Sequence, residues 1–424
     1  MDLTKALASL TPESRFPTFR QILARIDELA GAFPGVIAVD TIGFTADGNP
    51  LRRLRLGTGA RQAVVIGMPH PNEPTGSLGA LQLVELLCRN PRMRGQLGFT
   101  WHVLPCADPD GTALNESWFY GPFTRETYSA GIYRPPIDVD FEWTFHRADL
   151  NEPGLAPTPG SRAVMALIDE VRPELLVSMH NNEAGGLYAY ATHDDVPIAA
   201  GFEQTSRLTG LPVDCGFAEA PADTLAPGIF LAEPLLDGGA MISSTDYAGK
   251  YGTFGVIVEP PLWIAPQVTD TRLTHITAGR LYDEMELERT ELREEYAGWL
   301  STLDHEVDRH STRWAAIAAG TKNLEHPWHP MTDEDHRMTF AEVSSVKRLR
   351  DLERLRLAGH VVAAVAHSPH RISKAESHVL GQARAALRRW SLAAEGGEFC
   401  GLDRAVAAHV GITLTCADAI RARG

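Results

Sequence analysis

The sequence predicts an α/β protein: a mixed, largely parallel central sheet flanked by helices, followed by an α-helical C-terminal region. Three observations carry this. Apolar runs at Val64–Ile66, Leu175–Met179 and Gly255–Val258 have strand length and end in glycine, proline or polar residues. Helical apolar spacing lies between them, and such alternation builds parallel sheets covered on both faces. After about residue 275 the helical spacing continues without strands. A first domain at 1–275 and a helical domain or extension at 276–424 are expected.

In chain order, Phe19, Ile22, Leu23, Ile26 and Leu29 mark a helix that Pro34 and Gly35 end. Val36–Val39 and Leu51–Leu56 read as strands around the turn Asp47-Gly48-Asn49-Pro50. A strand from Ala63 and a helix reaching Leu87 enclose His70-Pro71-Asn72-Glu73-Pro74. Phe99–Leu104 is the next strand, ending in Asp108-Pro109-Asp110-Gly111. Residues 112–148 have no clear period and are rich in aromatics, as in a long loop that lines a site. Ser161–Val171 is helical, and the strands Leu175–Met179 and Gly255–Val258 deliver His180 and Glu259. Leu281 to Val307, Phe340 to His367 and Ser373 to Ala394 are the C-terminal helical stretches.

Composition is that of an ordinary globular protein, 44% hydrophobic and 22% charged. The net charge of −15 argues against nucleic acid or an anionic membrane as partner, since both attract basic surface. No apolar run reaches spanning length, so no membrane partner is expected. The five cysteines are scattered and form no CxxC pair, which fits a reducing, cytoplasmic setting. The long apolar stripe of the C-terminal helices needs burial, against the first domain or in a homo-oligomer.

Hydrolytic zinc takes three protein ligands and leaves a position open. His70 and Glu73 offer two, between a strand end and a helix start, and His180 offers a third at another strand end. Glu259, at a third strand end, is placed to act as a base. An HxxE pair or a histidine at a strand end is weak evidence singly. The ordered set, each following an apolar strand, is far less common by accident.

The chain also resembles the M14-type zinc metallocarboxypeptidases. The resemblance runs over about residues 16–265 and rests on His70-x-x-Glu73, Asp108-Pro109-Asp110-Gly111, Asp149-Leu150-Asn151, His180 and Glu259. It implies a carboxypeptidase-like fold and one zinc ion held by His70, Glu73 and His180. It implies Glu259 as general base, Arg134 as the arginine that polarises the carbonyl, and Asp149 as a hydrogen-bond partner of a ligand histidine. Asn151, Glu152 and Asp246 fall where substrate is bound. One departure is sharp. The family pattern continues Asp-x-Asn-Arg, with the arginine clamping a substrate carboxylate, and here Glu152 follows Asn151. Like charges repel, so the clamp must come from elsewhere, with Arg147, Arg125 and Arg162 as candidates. Tyr247 and Tyr251 are the nearest counterparts of the family's mobile tyrosine.

His305 and His310 mimic a zincin motif, but five residues turn a helix by about 500°, so the pair diverges. His326 and His329 lie in a proline-rich link and read as solvent-facing. The expectation is a metal-dependent hydrolase of a peptide or small amide. The alternative is a catalytically idle metal-binding scaffold whose helical C-terminal region carries the interaction.

Overall fold

A computed structural model describes residues 1–150, 153–194, 197–219, 222–232, 241–303, 311–326, 331–368, 371–394 and 397–423. The chain opens with α1 (Leu3–Ala8), α2 (Phe19–Ala32), β1 (Ile37–Phe44), β2 (Pro50–Leu56), β3 (Arg61–Gly67), α3 (Thr75–Arg89), α4 (Pro91–Leu97) and β4 (Phe99–Leu104). There follow α5 (Pro109–Asn115), α6 (Arg125–Gly131), α7 (Pro159–Val171), β5 (Leu175–Met179), β6 (Asn182–Gly185), β7 (Tyr188–Ala191) and α8 (Ala199–Thr209). The sheet region ends with β8 (Thr224–Ala226), β9 (Ile229–Leu231), α9 (Ser244–Gly249), β10 (Phe254–Glu259) and β11 (Pro261–Ile264). The last part holds β12 (Leu273–Thr277), α10 (Ala278–Leu303), α11 (Thr312–Glu325), β13 (Arg337–Thr339), α12 (Phe340–Ala366), α13 (Lys374–Ala393), β14 (Glu398–Phe399) and α14 (Leu402–Arg423).

Nine strands form one sheet in the order β1-β2-β4-β3-β5-β10-β7-β9-β8. Its centre, β4-β3-β5-β10, is parallel. Antiparallel pairing enters through β1-β2-β4 on one side and through β10-β7 and β8-β9 on the other. The sheet is mixed and largely parallel at its core, as the alternation predicts. The central strands are predominantly apolar and buried, as strands covered on both faces are.

The C-terminal region is helical, with short strands that the sequence reading does not foresee. β12 pairs with β13, and β14 pairs with β11. The periodic run from Leu281 belongs to α10 up to Leu303, while Val307 lies outside the described residues. The decoy pair His305 and His310 also lies outside them, as does His329. The helix α14 packs into the principal core, contributing Ala405, Ala408, Val410, Ile412, Leu414, Cys416 and Ala417. Every residue of α3 from Thr75 to Cys88 is consequently buried.

Close backbone packing at the start of α3 sets the site. A Cβ added to Gly76 would lie 1.9 Å from the Met179 carbonyl oxygen, so only glycine lets α3 press on the end of β5. That contact brings the turn after β3 beside His180. Met68, fully buried, adopts φ of 51°, a left-handed conformation rare for a long side chain, and turns the chain sharply toward His70.

Candidate metal centre

His70 and Glu73 occupy the turn between β3 and α3, and His180 follows β5 directly. All three are buried. His70 Nδ1 lies 3.0 Å from Glu73 Oε1, and His180 Nδ1 lies 2.9 Å from Glu73 Oε2. The two Nδ1 atoms are 3.1 Å apart. One ligand atom from each residue lies within 4.8 Å of the others.

The far side of each ring faces oxygen atoms. His70 Nε2 is 3.4 Å from Asp140 Oδ1. His180 Nε2 is 3.0 Å from Ser178 Oγ and 3.9 Å from Glu142 Oε1. Carboxylates accept hydrogen bonds, so these outer contacts favour N–H on Nε2. Both Nδ1 lone pairs then point at one another and at a carboxylate. Three electron-pair donors converging in a buried space repel unless a cation sits among them, so the residues fit a divalent metal ion. Without such an ion the groups compensate each other. Burial works to raise the Glu73 carboxyl, but His70 and His180 outweigh it and hold it well below the carboxylate range. Burial works to lower His180, but Glu73 outweighs it and holds the imidazolium well above its ordinary range.

Glu259, the last residue of β10, places Oε1 3.9 Å from His180 Nδ1. Burial drives its carboxyl well above the usual range; His180 opposes, and Glu73 and other nearby carboxylates add to the rise. Arg134 donates from Nη1 to Glu73 Oε1 at 2.9 Å and to Asn72 Oδ1 at 3.3 Å. Its Nε lies 3.2 Å from Asp140 Oδ2. Asp140 thus lies beside both His70 and Arg134. His70, Glu73, His180, Glu259 and Arg134 line a cavity of about 250 Å³ whose walls include Trp143, Tyr188, Tyr190 and Asp246. Arg134 is the one arginine lining it among the described residues.

Several expected residues lie elsewhere. Asp149 is a correction: its side chain is half exposed and pairs with Arg147, whose Nε donates to Oδ1 at 3.1 Å. Asp140 and Glu142 hold the positions beside the ligand rings that Asp149 was expected to fill. Arg147 also donates to the Asp246 carbonyl oxygen at 3.1 Å, Arg162 to that of Pro157 at 2.5 Å, and Arg125 lies over the Trp263 ring. None of the three lines the metal cavity. Tyr247 and Tyr251 both donate to Asp169 and do not line it either. Asp246 lines it while capping α9, accepting from the Ser243 backbone N–H at 2.9 Å and from Ser243 Oγ at 2.7 Å. Asn151 and Glu152 lie outside the described residues.

The model of the zinc carboxypeptidase family, Peptidase_M14, matches residues 22–213. The N-terminal region resembles the zinc carboxypeptidases. Solved structures similar to the chain include a metallo-carboxypeptidase from Burkholderia cenocepacia, at 16% identity and a TM-score of 0.39, covering 58% of this chain and 60% of that one. Carboxypeptidase A from Helicoverpa armigera is 16% identical with a TM-score of 0.43, covering 62% of this chain and 70% of that one. Bovine thrombin-activatable fibrinolysis inhibitor is 13% identical with a TM-score of 0.40, covering 57% and 86%. This chain therefore spans less than two thirds of the Burkholderia protein. No curated protein matches. The matched segment contains His70, Glu73, Arg134 and His180 and stops before Glu259.

No helix among the described residues is long and apolar enough to cross a membrane.

Proposed function

We propose that this chain is a zinc-dependent hydrolase of peptide or amide bonds, carboxypeptidase-like in its catalytic half and atypical in substrate recognition. The observation that carries this reading is the convergence of His70, Glu73 and His180 in a cavity that Glu259 and Arg134 also line. A zinc ion bound there supplies Lewis acidity, acidifying a water and polarising the scissile carbonyl.

The chain's own residues supply the rest. Glu259 takes the proton of the attacking water at its carboxylate and returns it to the leaving amine. Its buried position favours the protonated form that the second half of this cycle needs. Arg134 donates to the oxygen on which negative charge develops, and Asp140 and Glu73 hold its guanidinium in place. Trp143 and Tyr190 wall the cavity, and Asp246 offers acceptor character to a polar or cationic substrate group. With Glu152 in place of the clamp arginine, recognition of a free carboxylate at that position is weakened.

Glu259→Gln is expected to bind zinc with unchanged stoichiometry and to lose nearly all turnover on a chromogenic peptide and amide panel. A fully active variant would sink the mechanism. Activity that a chelator abolishes and zinc restores would exclude an idle scaffold.

A further inference from the structure

Behind His180 lies a buried hydrogen-bonded group that the C-terminal helix α14 completes. His409 Nε2 is 3.1 Å from Thr75 Oγ1. Thr75 Oγ1 is in turn 2.9 Å from Asn181 Oδ1 and 3.3 Å from the His180 carbonyl oxygen. The backbone N–H of Asn181 donates to Glu73 Oε2 at 3.4 Å. One peptide unit, between His180 and Asn181, is therefore held at its oxygen by Thr75 and at its N–H by Glu73. His409, Thr75 and Asn181 are all buried.

The directions of these bonds follow from the ring. Among the described residues His409 Nδ1 has no hydrogen-bond partner. A proton on that atom would be a buried donor without an acceptor, so the neutral ring favours N–H on Nε2. His409 then donates to Thr75 Oγ1, and the Thr75 hydroxyl gives its one proton to the nearer acceptor, Asn181 Oδ1. The imidazole stands in an apolar stretch, since Ala408, Val410 and Ile412 belong to the principal core. Burying it there costs desolvation that its hydrogen bond to Thr75 offsets. Packing fixes its place: a Cβ on Gly79 would lie 2.7 Å from the His409 Cβ. His409 lies outside the segment 22–213 that the family model matches.

We propose that His409 is a positioning residue of the metal centre: through Thr75, α14 sets the peptide between His180 and Asn181, and with it the directions from which His180 and Glu73 meet a metal ion. The C-terminal helix thus serves the site without supplying a ligand. The proposal rests on the metal-binding part of the hydrolase reading and not on the reaction assigned to it.

The test compares the full chain with His409→Leu, His409→Gln and Thr75→Val. Zinc affinity is measured by competition with a chelator, and the visible spectrum of the cobalt-substituted protein reports the geometry at the metal. His409→Leu removes the donor and should weaken zinc binding by about tenfold, the loss usual for partners that orient ligands, and shift the cobalt bands. Thr75→Val should do the same, and combining the two should add little, as for two links of one network. Thr75→Val also carries the test should the change at His409 unfold the chain. His409→Gln, whose amide N–H reaches the place of Nε2, should restore affinity to within about threefold and return the wild-type spectrum. A role in packing alone gives the reverse order: the apolar leucine variant binds zinc as wild type does, and the glutamine variant is the weaker. That order, or additive losses from His409→Leu and Thr75→Val, would overturn the proposal. A full chain that takes up no zinc would overturn it together with the hydrolase reading. A full chain that shows the expected pattern of zinc affinities and hydrolyses no amide would sink the hydrolase reading alone.

Discussion

Arg356 of α12 donates from Nε and Nη2 to Glu183 Oε1 at 3.0 and 2.6 Å, across 173 positions of sequence. The same oxygen accepts from Tyr128 Oη at 2.9 Å and from Asn72 Nδ2 at 3.4 Å. Asn72 in turn accepts from Arg134, and Arg134 donates to the ligand Glu73. A continuous hydrogen-bonded chain runs from the C-terminal helices to the candidate metal triad. Glu183 is buried, so its charge depends on this pairing.

Arg356→Ala should therefore destabilise the fold by about 2–3 kcal/mol, at or below the lower edge for breaking a buried pair because Arg356 keeps some solvent contact. Loosening Asn72 and Arg134 should also lower kcat more than it raises KM. The double variant Arg356→Met, Glu183→Gln should recover most of the stability, since no lone buried charge remains. Urea unfolding of Arg356→Met, Glu183→Gln and the double variant measures the coupling. Additive losses would show that the pair does not act as one.

Arg134→Ala should reduce kcat by about 100-fold or more, the cost of losing a donor aimed at developing charge. Zinc content should be unchanged, because Arg134 touches a ligand without being one. Arg134→Lys should restore little. A single ammonium cannot span Glu73 and Asp140 as the guanidinium does. Elemental analysis beside steady-state kinetics separates a metal-binding defect from a catalytic one.

The legible parts of the site are those at ends of buried strands. His70, Glu73, His180 and Glu259 each follow an apolar run of strand length, and parallel strands bring their ends together. Asp140 and Glu142 were not legible, because the segment 112–148 is shaped by aromatic packing and not by a backbone period. Phe141 and Phe145, both buried, anchor the stretch that carries them. Asp149 was misplaced for the complementary reason: a motif states order along the chain, while the neighbouring Arg147 decides where this side chain points. The helix α14 has no signature in the sequence because it is covered nearly all round. From Ala408 to Leu414 every residue is buried, and a helix without a wet face shows no amphipathic period.

Acid should destabilise the fold through its buried histidines. Burial lowers His360 and His409 to about 3, far below an ordinary imidazole, and the charge of Arg356 adds to the fall for His360. A folded value below the unfolded one means that the unfolded chain binds protons that the folded chain refuses. Their stabilising share is complete above about pH 6.5 and is lost as pH falls toward 3. At pH 4.5 each costs about 3 kcal/mol on the scale of 1.4 kcal/mol per pH unit. His360→Leu should weaken the pH dependence of the urea midpoint between pH 7 and 4.5 by one proton's worth. An unchanged slope would show that His360 titrates alike in both states.

A chain cut after residue 275 should not give a folded, active monomer. The cut removes α14, which covers α3 and places His409 Nε2 3.1 Å from Thr75 Oγ1. Thr75 also lies 3.3 Å from the carbonyl oxygen of the ligand His180. A Cβ on Gly79 would meet His409 at 2.7 Å, so the two helices are in close contact behind the metal site. Removing Val410, Ile412, Leu414 and the other α14 residues from the principal core forfeits about 1.5–3 kcal/mol per large side chain, and several such losses exceed the usual net stability of a domain. The cut also removes α12 and, with it, Arg356. Size-exclusion chromatography and far-ultraviolet circular dichroism of the 1–275 fragment, beside the full chain, measure the effect. A soluble fragment with native helix content and zinc-dependent activity would show that residues 276–424 form a dispensable unit.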